Sequence, residues 1–188
     1  MNEVDTSQEK INSPNKSQRK PMYTSKMILI ELGALGFKII VIAFIFLLIF
    51  SFIFGVHIVS GRDMNPFIRD GDIVLYYRLN QHMQASDVIV FEQDNELEVR
   101  RIVAVSGDTV NIDQNGLMIN GAYVNEKDIY ENTDRYASGI DFPVTLPEGY
   151  VFVLGDSRKY SKDSRIYGCI KEKNIYGKVT TVIRRRNI

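Results

Sequence analysis

The sequence predicts a mainly β protein, an antiparallel coiled or barrel-like sheet carried on one N-terminal transmembrane helix. Three observations predict it. A single long apolar run lies early in the chain. Beyond it, short stretches rich in Val, Ile, Tyr and Phe recur, and turn signals fall between them at close spacing. The 188 residues suffice for one domain plus extensions.

Residues 1–25 are polar, contain Pro14 and Pro21, and show no hydrophobic period, which predicts an unstructured tail. A cytoplasmic polar segment is assigned to residues 1–31. From Ile39 to Phe54 every residue but Ser51 is apolar. Sixteen helical residues reach only about 24 Å at about 1.5 Å each, short of the roughly 20 residues a bilayer core needs. The predicted span therefore runs over 32–54, with Lys38 snorkelling to the headgroups. A signal-peptide core is disfavoured, because the run is long and no small-x-small cleavage site follows it cleanly. Six bases and one acid, Glu31, lie between Lys10 and Lys38. This basic flank predicts a single-pass protein of the cell membrane, N-terminus cytoplasmic, with residues 55–188 as an extracellular domain.

In that domain "DIVLYYRL" (72–79), "DVIVFEQ" (87–93), "EVRRIVAVSGDTVNI" (98–112), "GLMINGAYV" (116–124), "YVFVLGD" (150–156) and "YGKVTTVIRRR" (176–186) read as strands, punctuated by "RDGD", "SGD", "DQNG" and "PEG". No long amphipathic helix follows residue 60. Zero net charge gives no electrostatic reason to expect a nucleic-acid partner. One cysteine, Cys169, forms no internal disulfide, and His57 and His82 are scattered, so no metal or other cofactor is expected.

Four stretches stand in order: "GRDMNP" (61–66), "RDGDIVLYY" (69–77), "EVRRIVAVSGD" (98–108) and "GDSRKYSKDSRIYG" (155–168). With the preceding anchor, they resemble bacterial type I signal peptidases over about residues 39–182. The last stretch is the most specific. The resemblance implies a β-rich catalytic domain on the outer membrane face, with a serine nucleophile in G-x-S-M-x-P and a lysine general base just before the arginine of K-R-(I/V)-(I/V)-G. Mapped residue by residue, the serine position is Asp63, flanked by Gly61, Met64 and Pro66. The lysine position is Arg100, followed by Arg101. Ser161 matches the serine that orients the lysine, and Asp163 and Arg165 match the elements that brace the site.

Arginine has five donors and no acceptor, and a carboxylate has no O–H to give up. The degenerate pair is therefore expected to leave no catalytic residue, and the chain is expected not to be an enzyme. Adjoining Asp63 and Arg100 side chains could instead form a bidentate ion pair. Asp70 and Asp72 read as turn residues rather than a rescuing carboxylate dyad, Ser60 and Ser106 as turn or strand-end serines, and His82 as an exposed connector residue. The expected role is that of an assembly factor or chaperone resembling those that assist pilus formation in Gram-positive bacteria. Its partners would be the membrane, pilins, sortase or signal-peptide-like segments, bound by strand addition. Two alternatives stand beside it: an active signal peptidase with an atypical dyad, and a structural or regulatory β domain. No oligomeric state is implied.

Overall fold

The structure, a computed structural model, describes residues 25–79, 82–126 and 129–185. Of the tail expected over residues 1–25, residues 1–24 lie outside them, and Ser25 opens a helix. The chain divides into two units, residues 1–45 and 46–188.

Helix α1 (Ser25–Ile53) has 29 residues and no buried side chain. At about 1.5 Å per residue it is long enough to cross a bilayer core of roughly 30 Å, and its composition suits one. Strand β1 (Phe54–Ile58) begins at the next residue. The apolar run conceals this change of state, and β1 was not among the expected strands.

The strands that follow are β2 (Ile73–Tyr77), β3 (Val88–Gln93), β4 (Glu96–Ala104), β5 (Thr109–Asp113), β6 (Gly116–Ile119), β7 (Ala122–Tyr123), β8 (Val144–Thr145), β9 (Tyr150–Leu154), β10 (Ile170–Lys171) and β11 (Ile175–Ile183). A four-residue helix, α2 (Ser164–Tyr167), separates β9 from β10. All pairings are antiparallel. One sheet has the order β1-β2-β11-β3-β4-β9-β10 and the other β7-β6-β5-β8. The expected mainly antiparallel β fold is present. The sheets stay open and do not close into a barrel, because β1 and β10 end the larger one and β7 and β8 the smaller. The expected 98–112 stretch is two strands, broken at Gly107, whose φ of +89° suits a residue without a side chain.

The core follows strand alternation. Val88 and Val90 pack with Val59, Met64, Ile68, Val74, Tyr76 and Val99 on one face of the large sheet. Ile89 and Phe91 pack with Ile102, Val151, Val153 and Ile170 on the other. A strand buried on both faces needs a continuous apolar run, hence "VIVF" in β3. Each such side chain contributes about 1.5–3 kcal/mol when fully buried. A third cluster, including Val103, Val110, Ile112, Leu117, Phe152 and Leu154, joins the two sheets.

The outer face of β1, β2 and β11 is different. Register aligns Phe54 with Tyr77, Val56 with Leu75 and Ile58 with Ile73, and Ile73 with Ile183 on the far side. Directly paired residues share a face. Seven apolar side chains therefore lie side by side, with Val56, Ile58 and Ile183 exposed.

Candidate functional site

The loop from β1 to β2 carries Asp63, and the middle of β4 carries Arg100. Gly61 opens the loop at φ +95°, its N–H donating to Asp70 Oδ1. Met64 is buried beneath the loop, and Asn65–Pro66 is a cis peptide. The Asp63 carbonyl accepts from Ser157 N–H at 2.9 Å, which joins this loop to the turn after β9. Gly155 lies at that junction, and a Cβ there would sit 2.6 Å from the Asp63 carbonyl oxygen.

Arg100 Nη2 lies 2.9 Å from Asp63 Oδ1. The expected pair forms, but through one nitrogen and one oxygen rather than as a bidentate fork. The rest of the guanidinium is taken up elsewhere. Nε and Nη2 donate to the Lys162 carbonyl at 3.0 and 2.8 Å, and Nη1 donates to the Val99 carbonyl at 2.7 Å. Nη2 is also 3.3 Å from Glu98 Oε2. Lys162 N–H in turn donates to Asp63 Oδ1 at 3.2 Å. Arg100 is nearly enclosed, and Asp63 is 23% exposed on its side chain.

Ser161, which matches the family's lysine-orienting serine, gives Arg100 no hydrogen bond. It is buried, yet its Oγ has no hydrogen-bond partner among the described residues. Asp163 and Arg165 form a buried pair at 2.8 Å. Asp163 also caps α2 through Arg165 N–H and accepts from Gly155 N–H at 3.1 Å. Arg101 makes the bidentate contact instead, with Asp156 at 2.8 and 2.7 Å, its guanidinium over the Phe67 ring.

Asp70 and Asp72 serve the turn, accepting from Gly61 N–H and Arg69 N–H respectively. Ser106 Oγ bonds the Gly149–Tyr150 backbone. His82 lies exposed in a connector. Among the described residues no group of three or more His, Cys, Asp or Glu side chains could hold a metal ion.

The sequence reading missed Glu98, Lys162 and Tyr167. A cleft of about 260 Å³ is lined by His57, Val59, Ser60, Asp63, Met64 and residues 96–100, with Lys162 at its side. Glu98 is two residues before Arg100 on a strand and so shares its face, a signal legible in "ELEVR". Tyr167 O–H donates to Glu98 Oε2 at 3.2 Å. Burial lifts the Glu98 carboxyl above the ordinary glutamate range; Arg100 and the Tyr167 hydroxyl hold it back in part, and the Asp63 charge adds to the lift. Burial also lowers His57, leaving it neutral at pH 7, and raises the Tyr167 hydroxyl.

A raised folded-state pKa means that ionised Glu98 opposes folding. This opposition fades as pH falls through the raised value and is gone below the unfolded glutamate pKa of about 4.3. Glu98→Gln is therefore expected to raise the urea midpoint at pH 7, with the gain shrinking toward pH 4. A midpoint that falls at pH 7 would show that the contacts of Glu98 outweigh its desolvation.

The model of the family described as signal peptidase, peptidase S26, matches residues 31–184. A signal peptidase I of Bacillus licheniformis is 36% identical over 153 residues, spanning 74% of this chain and 82% of that protein. A signal peptidase IB of Staphylococcus aureus is 32% identical over 160 residues, spanning 75% and 84%. A solved signal peptidase I from Enterococcus faecalis V583 aligns with a TM-score of 0.45 at 29% identity, covering 53% of this chain and 98% of that one. Relatives named for a peptidase overturn the expectation of a non-enzyme, because unusual residues at positions 63 and 100 do not remove a chain from an enzyme family. The four motifs, the family model and the sequence relatives agree: the chain belongs to the signal peptidase I, peptidase S26 family.

Proposed function

We propose that this protein holds an extended, lipid-proximal segment of an exported protein in the cleft beside Asp63 and Arg100, as an assembly factor for pilins on their way to sortase. The observation that carries this reading is the cleft itself. It is lined by two strands that each have unpaired backbone: β1, which ends its sheet, and β4, whose β9-side edge is paired only from Arg101 onward. A segment laid between them can add backbone hydrogen bonds to both and place alternate side chains in the cleft. The apolar outer face of β1, β2 and β11 would rest against the bilayer, with the N-terminus of α1 on the cytoplasmic side.

The test is photocrosslinking in the full-length protein in detergent. A benzophenone side chain at position 60, on the exposed lining of the cleft, is expected to capture a pilin precursor. One at position 130, on exposed Tyr130, is expected not to. Equal capture at both positions would remove the cleft from the reading.

A second reading is favoured by a specific feature: Asp63 and Glu98 share one guanidinium nitrogen, and one of these carboxyls is raised in pKa. Two carboxyls in unlike environments are a recurring acid–base arrangement, so an active signal peptidase with atypical groups is the competing function. Processing of a preprotein that disappears with Asp63→Asn or Glu98→Gln would establish it.

A further inference from the structure

Glu96, Glu98 and Arg100 alternate along β4 and line the same cleft. The guanidinium is already engaged by Asp63, the Lys162 carbonyl and the Val99 carbonyl. Lys162, the other cation of the cleft, pairs with Asp94 at 3.3 Å. His57 is neutral because burial lowers its pKa. Arg100 is thus shared between Asp63 and Glu98, Lys162 is paired with Asp94, and the carboxylates of the cleft outnumber its cations. Both known contacts of Glu98 fall on Oε2, from Tyr167 and Arg100, so Oε1 takes no hydrogen bond among the described residues. Glu96 has no ion pair among them either.

We propose that Glu98 is the specificity determinant of the cleft, and that its free oxygen receives a cationic side chain, a lysine or arginine, from the extended segment bound between β1 and β4. This rests on the peptide-binding reading above. The cleft supplies a partly open space beside the strand, and Glu98, which lines it, supplies an unoccupied acceptor oxygen. Arg100 already meets Glu98 at Oε2, and neither it nor Lys162 can turn to Oε1 without giving up an existing partner. The elevated pKa of Glu98 is consistent with a charge poorly solvated where it stands, which an incoming cation would relieve. Charge-assisted hydrogen bonds of this kind are about twice as strong as neutral ones.

The experiment uses the full-length protein in detergent micelles and fluorescent 16-residue peptides with a leucine-rich half and a small-residue half. A single lysine, norleucine or glutamate is placed at each position of the small-residue half in turn, and Kd is read by anisotropy. At one register lysine is expected to bind at least tenfold tighter than norleucine, and glutamate weaker than either. The lysine advantage should shrink with added salt and fall below twofold in Glu98→Gln. Equal binding of lysine and norleucine at every register of the wild-type protein would overturn the specificity while leaving peptide binding in place. An advantage that survives in Glu98→Gln, with that variant folded by thermal melting, would overturn the assignment to Glu98. If no peptide binds the wild-type protein, the peptide-binding reading fails and this inference fails with it.

Discussion

Asp163→Ala is expected to be the most damaging single substitution in the β domain, costing about 3–5 kcal/mol. Asp163 is fully buried and answers four donors: Gly155 N–H and the N–H, Nε and Nη2 of Arg165. Its removal leaves the Arg165 guanidinium, 2% exposed, without a counter-charge. Breaking one side of a buried pair carries a cost of that size, and loss of the α2 cap adds about 1 kcal/mol. Against a total stability of roughly 5–15 kcal/mol, much of the folded population is at stake. Arg165 keeps the carbonyls of Asp134 and Arg158 and its place over the Tyr136 ring, which limits the loss to that range. Urea unfolding of the full-length chain in detergent measures it. Arg165→Met in the Asp163→Ala background should recover part of the loss, because the stranded charge goes with it. A loss below about 1 kcal/mol for Asp163→Ala would show that the pair does not brace the turn after β9.

Asp63→Ala ranks second, at about 2–3 kcal/mol, near the low end for breaking a buried pair. The reasons for the smaller figure are geometric. Arg100 retains two backbone carbonyls and Glu98, and Asp63 is partly open to solvent. What is lost is one charged contact and the acceptor for Lys162 N–H. A double-mutant cycle with Arg100→Met isolates the pair and is expected to return a coupling of roughly 1–2 kcal/mol. An unchanged unfolding midpoint for Asp63→Ala would rule out a structural role for the pair.

The sequence made some of this legible and concealed the rest for identifiable reasons. Strand existence was readable in β2, β3, β9 and β11 because β-branched and aromatic residues cluster there between turn residues. Strand β1 was hidden, since an apolar helix running straight into an apolar strand shows no break in composition at Phe54. Asp63 and Arg100, 37 residues apart, could be placed together only through the family resemblance, since nothing local links them. The third participant, the Lys162 carbonyl, lies 62 residues beyond Arg100 and is a backbone group, which side-chain patterns do not reveal. Glu98 was within reach, because strand alternation places it beside Arg100. The unpartnered Ser161 Oγ is set by packing that no local sequence spacing reveals.

The direct passage from Ile53 to Phe54 has a practical consequence. No hydrophilic spacer separates the apolar helix α1 from the seven-residue apolar face of β1, β2 and β11. On the proposed reading that this face rests against the bilayer, a fragment freed of residues 25–53 would expose it to water, and a face of this extent favours self-association. The released fragment should sediment as concentration-dependent oligomers, and charged replacements at Val56 and Ile58 should return it to a monomer.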